Sequence, residues 1–177
     1  MTQYAKEQIK LVWEQLEKAI SAREHYFHKV PNFPQVGVPA TEKDITELER
    51  HWQLQLPPSY RNFISLYNGV HNFFYDAALL STHDIIEGED EEWRQDIEEF
   101  LPGFSKFIFV GDKDSYSGVF CFDKHVVSED GEMEVVHLSI DGEETRWSSF
   151  GAYLQDYLKV TRKTLEHEQA DRKDLNE

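Results

Sequence analysis

Leu56–Gly69, "LPPSYRNFISLYNG", opens on two prolines and closes on Asn-Gly, a pair that between apolar runs usually marks a hairpin turn. The residues before it do not alternate as a strand does. Tyr60, Phe63, Ile64 and Tyr67 fall at i, i+3, i+4 and i+7, the spacing of one helix face, and Leu66 widens that stripe. Pro58 suits the first helical position, where its missing N–H costs nothing. Gly69 can take the left-handed conformation that stops a helix, with Asn68 ending the last turn. The stretch therefore predicts a core-facing helix with sharp ends, and no hairpin.

Upstream, Ile9, Val12, Trp13, Leu16, Ala19 and Ile20 recur at steps of three and four, so residues 1–30 carry an amphipathic helix packed on or beside the core. It fades near His25, before "PNFPQVGVPA", which reads as an extended linker. Thr41 caps a second helix whose first turn holds Glu42 and Asp44, where the positive end of the helix dipole favours them. Ile45, Leu48 and Trp52 form its apolar edge, and "QLQLPP" breaks it.

Downstream the period changes. "HNFFYDAALLST" predicts one or two short strands; "KFIFVG" (106–111), "GVFCFD" (118–123) and "MEVVHLSI" (133–140) predict longer ones, joined by the turn-like "GDKDSYSG" and "SEDGE". Ser148 or Ser149 starts a last helix bearing Phe150, Tyr153, Leu154, Tyr157 and Leu158 on one face. Residues 166–177 have too little apolar content to pack and are expected to fray. Helices first, a mostly antiparallel central sheet and one closing helix make an α+β fold.

The chain has 34 acidic and 18 basic residues, a formal net charge of −16. Such a field repels phosphates, which argues against nucleic acid and anionic membranes and for basic proteins as partners. A single cysteine forms no internal disulfide and suits a reducing compartment. The N-terminal "MTQYAKEQIKLVWEQLEKAI" is charged throughout, with no apolar signal region, and no run approaches the ~20 apolar residues of a membrane span. The expectation is a cytoplasmic protein.

Leu56, Pro57, Tyr60, Phe63, Tyr67, Asn68 and Gly69, together with "FIFVGD", "GVFCFD" and the Phe-x-x-Tyr-Leu of "WSSFGAYLQDYL", resemble the SUKH superfamily, the domain of Smi/Knr-type cell-wall-synthesis regulators of yeast and of many bacterial proteins. The resemblance spans Pro39 to Leu158 and implies a Smi/Knr-like domain over residues 39–160. It also implies a function. Bacterial members commonly act as immunity proteins that bind and neutralise a polymorphic toxin, often a nuclease, whereas eukaryotic relatives look more like interaction scaffolds. The resemblance transfers no catalytic residue.

Searching the residues for chemistry gives little. Asp112, Asp114 and Asp123 suggest calcium, but Tyr116 and Ser117 stand where an EF-hand loop needs an oxygen ligand and a glycine. His71, Asp76, His83 and Asp84 lack metal-ligand spacing and read as loop residues. Cys121, between Phe120 and Phe122 in a strand, reads as a small core residue without the electropositive setting of a nucleophile. No enzyme activity, metal or cofactor is expected.

The remaining candidate is a binding surface. The acidic run Glu89, Asp90, Glu91, Glu92 and Asp96, continuing to Glu98 and Glu99, flanks Trp93. It reads first as a solvated helix face with Trp93, Ile97, Phe100 and Leu101 buried beneath, and alternatively as an aromatic anchor ringed by carboxylates that suits a basic partner. Asp112, Asp114, Glu129 and Asp130 lie in turns and complete the predicted partner-binding set. Two readings follow: an immunity protein occluding the cleft of a basic toxin, or a non-catalytic regulatory scaffold for an endogenous protein. In the second, Ile9, Val12, Trp13 and Leu16 of the first helix would dock a partner or a second copy.

Overall fold

The computed structural model describes residues 5–27, 33–72, 78–88, 98–99, 103–112, 118–139 and 144–174. Its described helices are α1 (Lys6–Phe27), α2 (Glu42–Trp52), α3 (Pro58–Ile64), α4 (Thr82–Gly88) and α5 (Phe150–Asp174), with a 3-10 turn at Phe104–Lys106. The strands are β1 (Gln35–Val36), β2 (Val70–His71), β3 (Ala78–Leu79), β4 (Phe107–Asp112), β5 (Val119–Val127), β6 (Met133–Leu138) and β7 (Glu144–Trp147). They form one seven-stranded sheet in sequence order, each antiparallel to the next, so the fold is α+β with a closing helix as the sequence predicts.

α2 starts on a capping box: the Asp44 N–H donates to Thr41 Oγ1 at 3.3 Å while the Thr41 N–H donates to Asp44 Oδ2 at 2.8 Å. α3 has Pro58 in its first turn and buries Tyr60, Phe63 and Ile64. It ends earlier than the sequence pattern predicts, at Ile64 rather than at Asn68. Ser65 and Leu66 form a tighter turn, although the Tyr67 N–H still donates to the Phe63 carbonyl at 2.8 Å. Gly69 does take a left-handed conformation (φ 90°), and there it steers the chain into β2 rather than ending the helix.

Asn68 has a different task from stopping α3. Its side chain accepts from the Thr82 N–H and donates to Thr82 Oγ1, joining the end of the α3 segment to the start of α4. α4 itself departs from the expectation that His83 and Asp84 are loop residues. Ser81 and Asp84 make a second capping box, with Asp84 N–H to Ser81 Oγ at 3.1 Å and Ser81 N–H to Asp84 Oδ2 at 3.2 Å.

The main core lies between the helices and one face of the sheet. Ile9, Trp13 and Leu16 of α1 meet Phe63 of α3, Phe150 and Tyr153 of α5, and Phe120 and Phe122 of β5. Trp13 stands edge-on to Phe63 at 5.5 Å and lies 5.6 Å from Tyr67; Tyr60 meets both Phe122 and Phe150 at about 5 Å. The stripe on α1 is thus internal. Ile9, Trp13 and Leu16 are covered by the same chain, so these three residues of the expected docking stripe face the core, with Val12 half-buried beside them.

Strand alternation sends Cys121 to the opposite face, where it joins Phe104, Phe107, Val136 and Leu138 in a second apolar cluster. On that face Arg146 of β7 donates to Asp123 at 3.0 Å and Glu134 at 2.9 Å. Asp123 pairs with Phe107 and Asp112 with Val119, at opposite ends of the β4–β5 ladder, so the two aspartates do not share a calcium site.

α5 runs to Asp174, through most of the segment for which composition predicts fraying. One contact to α1 falls within that segment, Arg23 lying 3.6 Å from Glu168, and just before it Arg162 donates to Gln15 at 2.8 Å.

Candidate interaction surface

The turn between β5 and β6 reads Ser128-Glu129-Asp130-Gly131-Glu132. The Ser128 N–H donates to the Glu132 carbonyl at 2.8 Å, closing the loop, and the Gly131 N–H donates to the Ser128 carbonyl at 3.0 Å. Gly131 sits at φ 84°, a conformation that costs a residue with a side chain about 1 kcal/mol or more. The Ser128 hydroxyl donates to Asp130 Oδ1 at 2.6 Å and accepts from the Glu132 N–H at 3.0 Å. Glu129 and Asp130 are left at the tip, both exposed.

Glu132 turns inward. It is 4% exposed, and its carboxylate accepts from the Ser59 N–H at 2.9 Å and the Ser59 hydroxyl at 2.6 Å. The Ser59 hydroxyl in turn accepts from the Gly151 N–H at 3.2 Å. One buried carboxylate thereby ties the acidic turn to the first turns of α3 and α5, where unpaired backbone N–H groups favour negative charge. Burial pushes the Glu132 carboxyl above its ordinary range, Ser59 pulls it back in part, and Asp130 adds a smaller push upward.

Before the turn, β5 overruns its neighbours. Its pairing with β4 ends at Phe107–Asp123, and β6 meets it at Glu134–Asp123 and then at Met133–Val127, so Lys124–Val126 bulge past both. Every residue from Lys124 to Asp130 is exposed, including Val126 at 43% and Val127 at 50%. The base of this arm is fixed at Asp123, whose carboxylate accepts from the His125 N–H at 3.1 Å and from Arg146.

Of the residues expected to bind a partner, Glu129 and Asp130 stand together on this arm. Glu89, Asp90, Glu91, Glu92, Trp93, Asp96 and Asp114 lie outside the described residues; Asp112 ends β4, but its side chain is also outside them. Glu98 is engaged internally, accepting from the Gly103 and Ser105 N–H groups at 2.6 and 2.8 Å. Among the described residues no group of three or more His, Cys, Asp and Glu side chains is placed to hold a metal ion. Nor is any described helix long and apolar enough to cross a membrane. Sequence reasoning missed Lys124–Val127 as a protruding arm and Glu132 as its brace. The alternation of β5 fails after Asp123, the one local signal of the break in its pairing with β6 before Val127 rejoins it at Met133.

No curated protein matches the chain. Residues 39–156 match the model of the SMI1 / KNR4 family (SUKH-1), from the approach to α2 into the first turns of α5. That span holds the whole meander after β1, the Asn68–Gly69 junction and the Ser59–Glu132 brace, and it is two thirds of the sequence: the chain belongs to the SMI1/KNR4 (SUKH-1) family.

Proposed function

We propose that this chain is an immunity-type member of its family, which binds a basic toxin domain in the cytoplasm and covers its active cleft. A nuclease is the target class that fits best. Its cleft must be basic to hold phosphates, and a carboxylate-rich surface can occupy the same cleft and exclude substrate. The observation that carries this reading is the net charge of −16 on a member of a protein-binding family. Glu129 and Asp130, presented on a braced turn, are one part of the contact; Glu89, Asp90, Glu91, Glu92, Trp93, Asp96, Asp112 and Asp114 are the other. The chain acts by stoichiometric occlusion and not as an enzyme.

The test begins with whether a toxin-like reading frame lies beside the gene, and continues with titration of the purified chain into the nuclease domain such a frame encodes, with plasmid cleavage as readout. Cleavage should stop at one equivalent, and affinity should fall as salt rises. Reversing Glu91, Glu92 and Asp96 to lysine should slow association and flatten its salt dependence. A tight partner that is neither basic nor toxic would overturn the proposal in favour of a regulatory scaffold.

A further inference from the structure

We propose that the arm Lys124–Asp130 is a self-association surface that pairs with the same arm of a second copy. A contact across a twofold axis must be complementary to itself. The arm is: Lys124 and His125 stand at one end, Glu129 and Asp130 at the other, and Val126 and Val127 between them. Two arms laid antiparallel about an axis near Val127 bring Lys124 of one copy to the acidic tip of the other, twice, and join the four valines at the centre. Beyond Asp123 the edge of β5 that faced β4 is open, although Val127 still pairs with Met133 on the other side, and an open strand edge is a template for such contacts. Here both ends are already fixed, at Asp123 by Arg146 and at Glu132 by Ser59, so little order is lost on pairing.

The charge pattern selects a second copy over a foreign basic protein. A basic partner gains from Glu129 and Asp130 but is opposed by Lys124 beside the apolar pair, whereas another copy sets a lysine against each acidic tip. The whole-chain charge of −16 on each copy repels at long range, so the contact belongs at physiological salt, where the screening length is about 8 Å, and weakens in low salt. This inference is independent of the proposed function, although a toxin held by Glu129 and Asp130 would compete with the second copy.

Sedimentation equilibrium of the full chain in physiological salt, up to about 1 mM, should show a monomer–dimer equilibrium. K124E should weaken it by about tenfold or more, and so should E129K/D130K, since each sets like charges face to face. Mixing these two variants should restore association as a heterodimer, because each lysine or glutamate then meets its opposite. Circular dichroism checks that both fold, as expected for exposed positions. A wild-type chain that stays monomeric throughout, variants that dimerise like wild type, or a mixture that fails to associate would each overturn the proposal.

Discussion

Asn68 and Thr82 hydrogen-bond each other twice, through the Thr82 N–H to Asn68 Oδ1 at 2.9 Å and through Asn68 Nδ2 to Thr82 Oγ1 at 3.1 Å. The side chain of one junction thus serves as a backbone partner for the first turn of α4. Thr82 is buried, so water cannot readily replace Asn68.

Asn68→Ala should lower stability by about 1–3 kcal/mol, the cost of leaving buried polar groups unpaired. Asn68→Asp should cost less, since it keeps an acceptor for the Thr82 N–H. Urea unfolding followed by tryptophan fluorescence measures both.

Glu132 gives a pH dependence with a definite sign. Its folded-state pKa is raised above the ordinary value of 4.5, so its favourable contribution is fully present below that value. The contribution is lost as pH rises through the raised pKa. Glu132→Gln removes the ionisation while keeping an acceptor for Ser59. The variant should gain on wild type as pH rises from 4 towards 8, as read from urea midpoints on that pH series.

Removing α1 tests whether it is part of the core. A chain lacking residues 1–30 exposes the surfaces that Ile9, Trp13 and Leu16 cover, and should lose cooperative unfolding. Trp13→Ala should cost about 3–5 kcal/mol in the full chain, as for other buried aromatics. Differential scanning calorimetry distinguishes a lowered transition from an absent one.

Arg146 is the cation that holds Asp123 and Glu134 on the second face of the sheet. Arg146→Met leaves the largely buried Asp123 carboxylate without that partner and should destabilise by about 1–3 kcal/mol. In Asp123→Asn the same substitution should cost markedly less. A double-mutant cycle by chemical denaturation gives the coupling.

Much of this fold is legible in the residues, and what is not has a physical reason. The stripes of α1, α3 and α5 and the alternation of β4, β5 and β6 follow from periods of 3.6 and 2. α4 is seven residues long, too short for a period to register. Its signal was the Ser-x-x-Asp box, the same device that Thr41 and Asp44 announce for α2. β7, with Glu144, Thr145 and Arg146, lacks an apolar pattern and is specified by its pairing with β6. The acidic tip Glu129–Asp130 could be read from turn chemistry. The brace could not, because Ser59 and Glu132 are 73 residues apart and only the fold brings them together. Likewise the α1 stripe announces a buried face without saying what buries it.

The α1–α5 contact joins residues 147 positions apart, at Gln15 and Arg162. A chain emerging from the ribosome can pack Trp13 on Phe63 and Tyr67 early, but the side of α1 that faces α5 stays uncovered until α5 has been synthesised. Completion of the core must wait for translation to reach Leu158 and Arg162, so the α1–α5 layer is the last part of it to close.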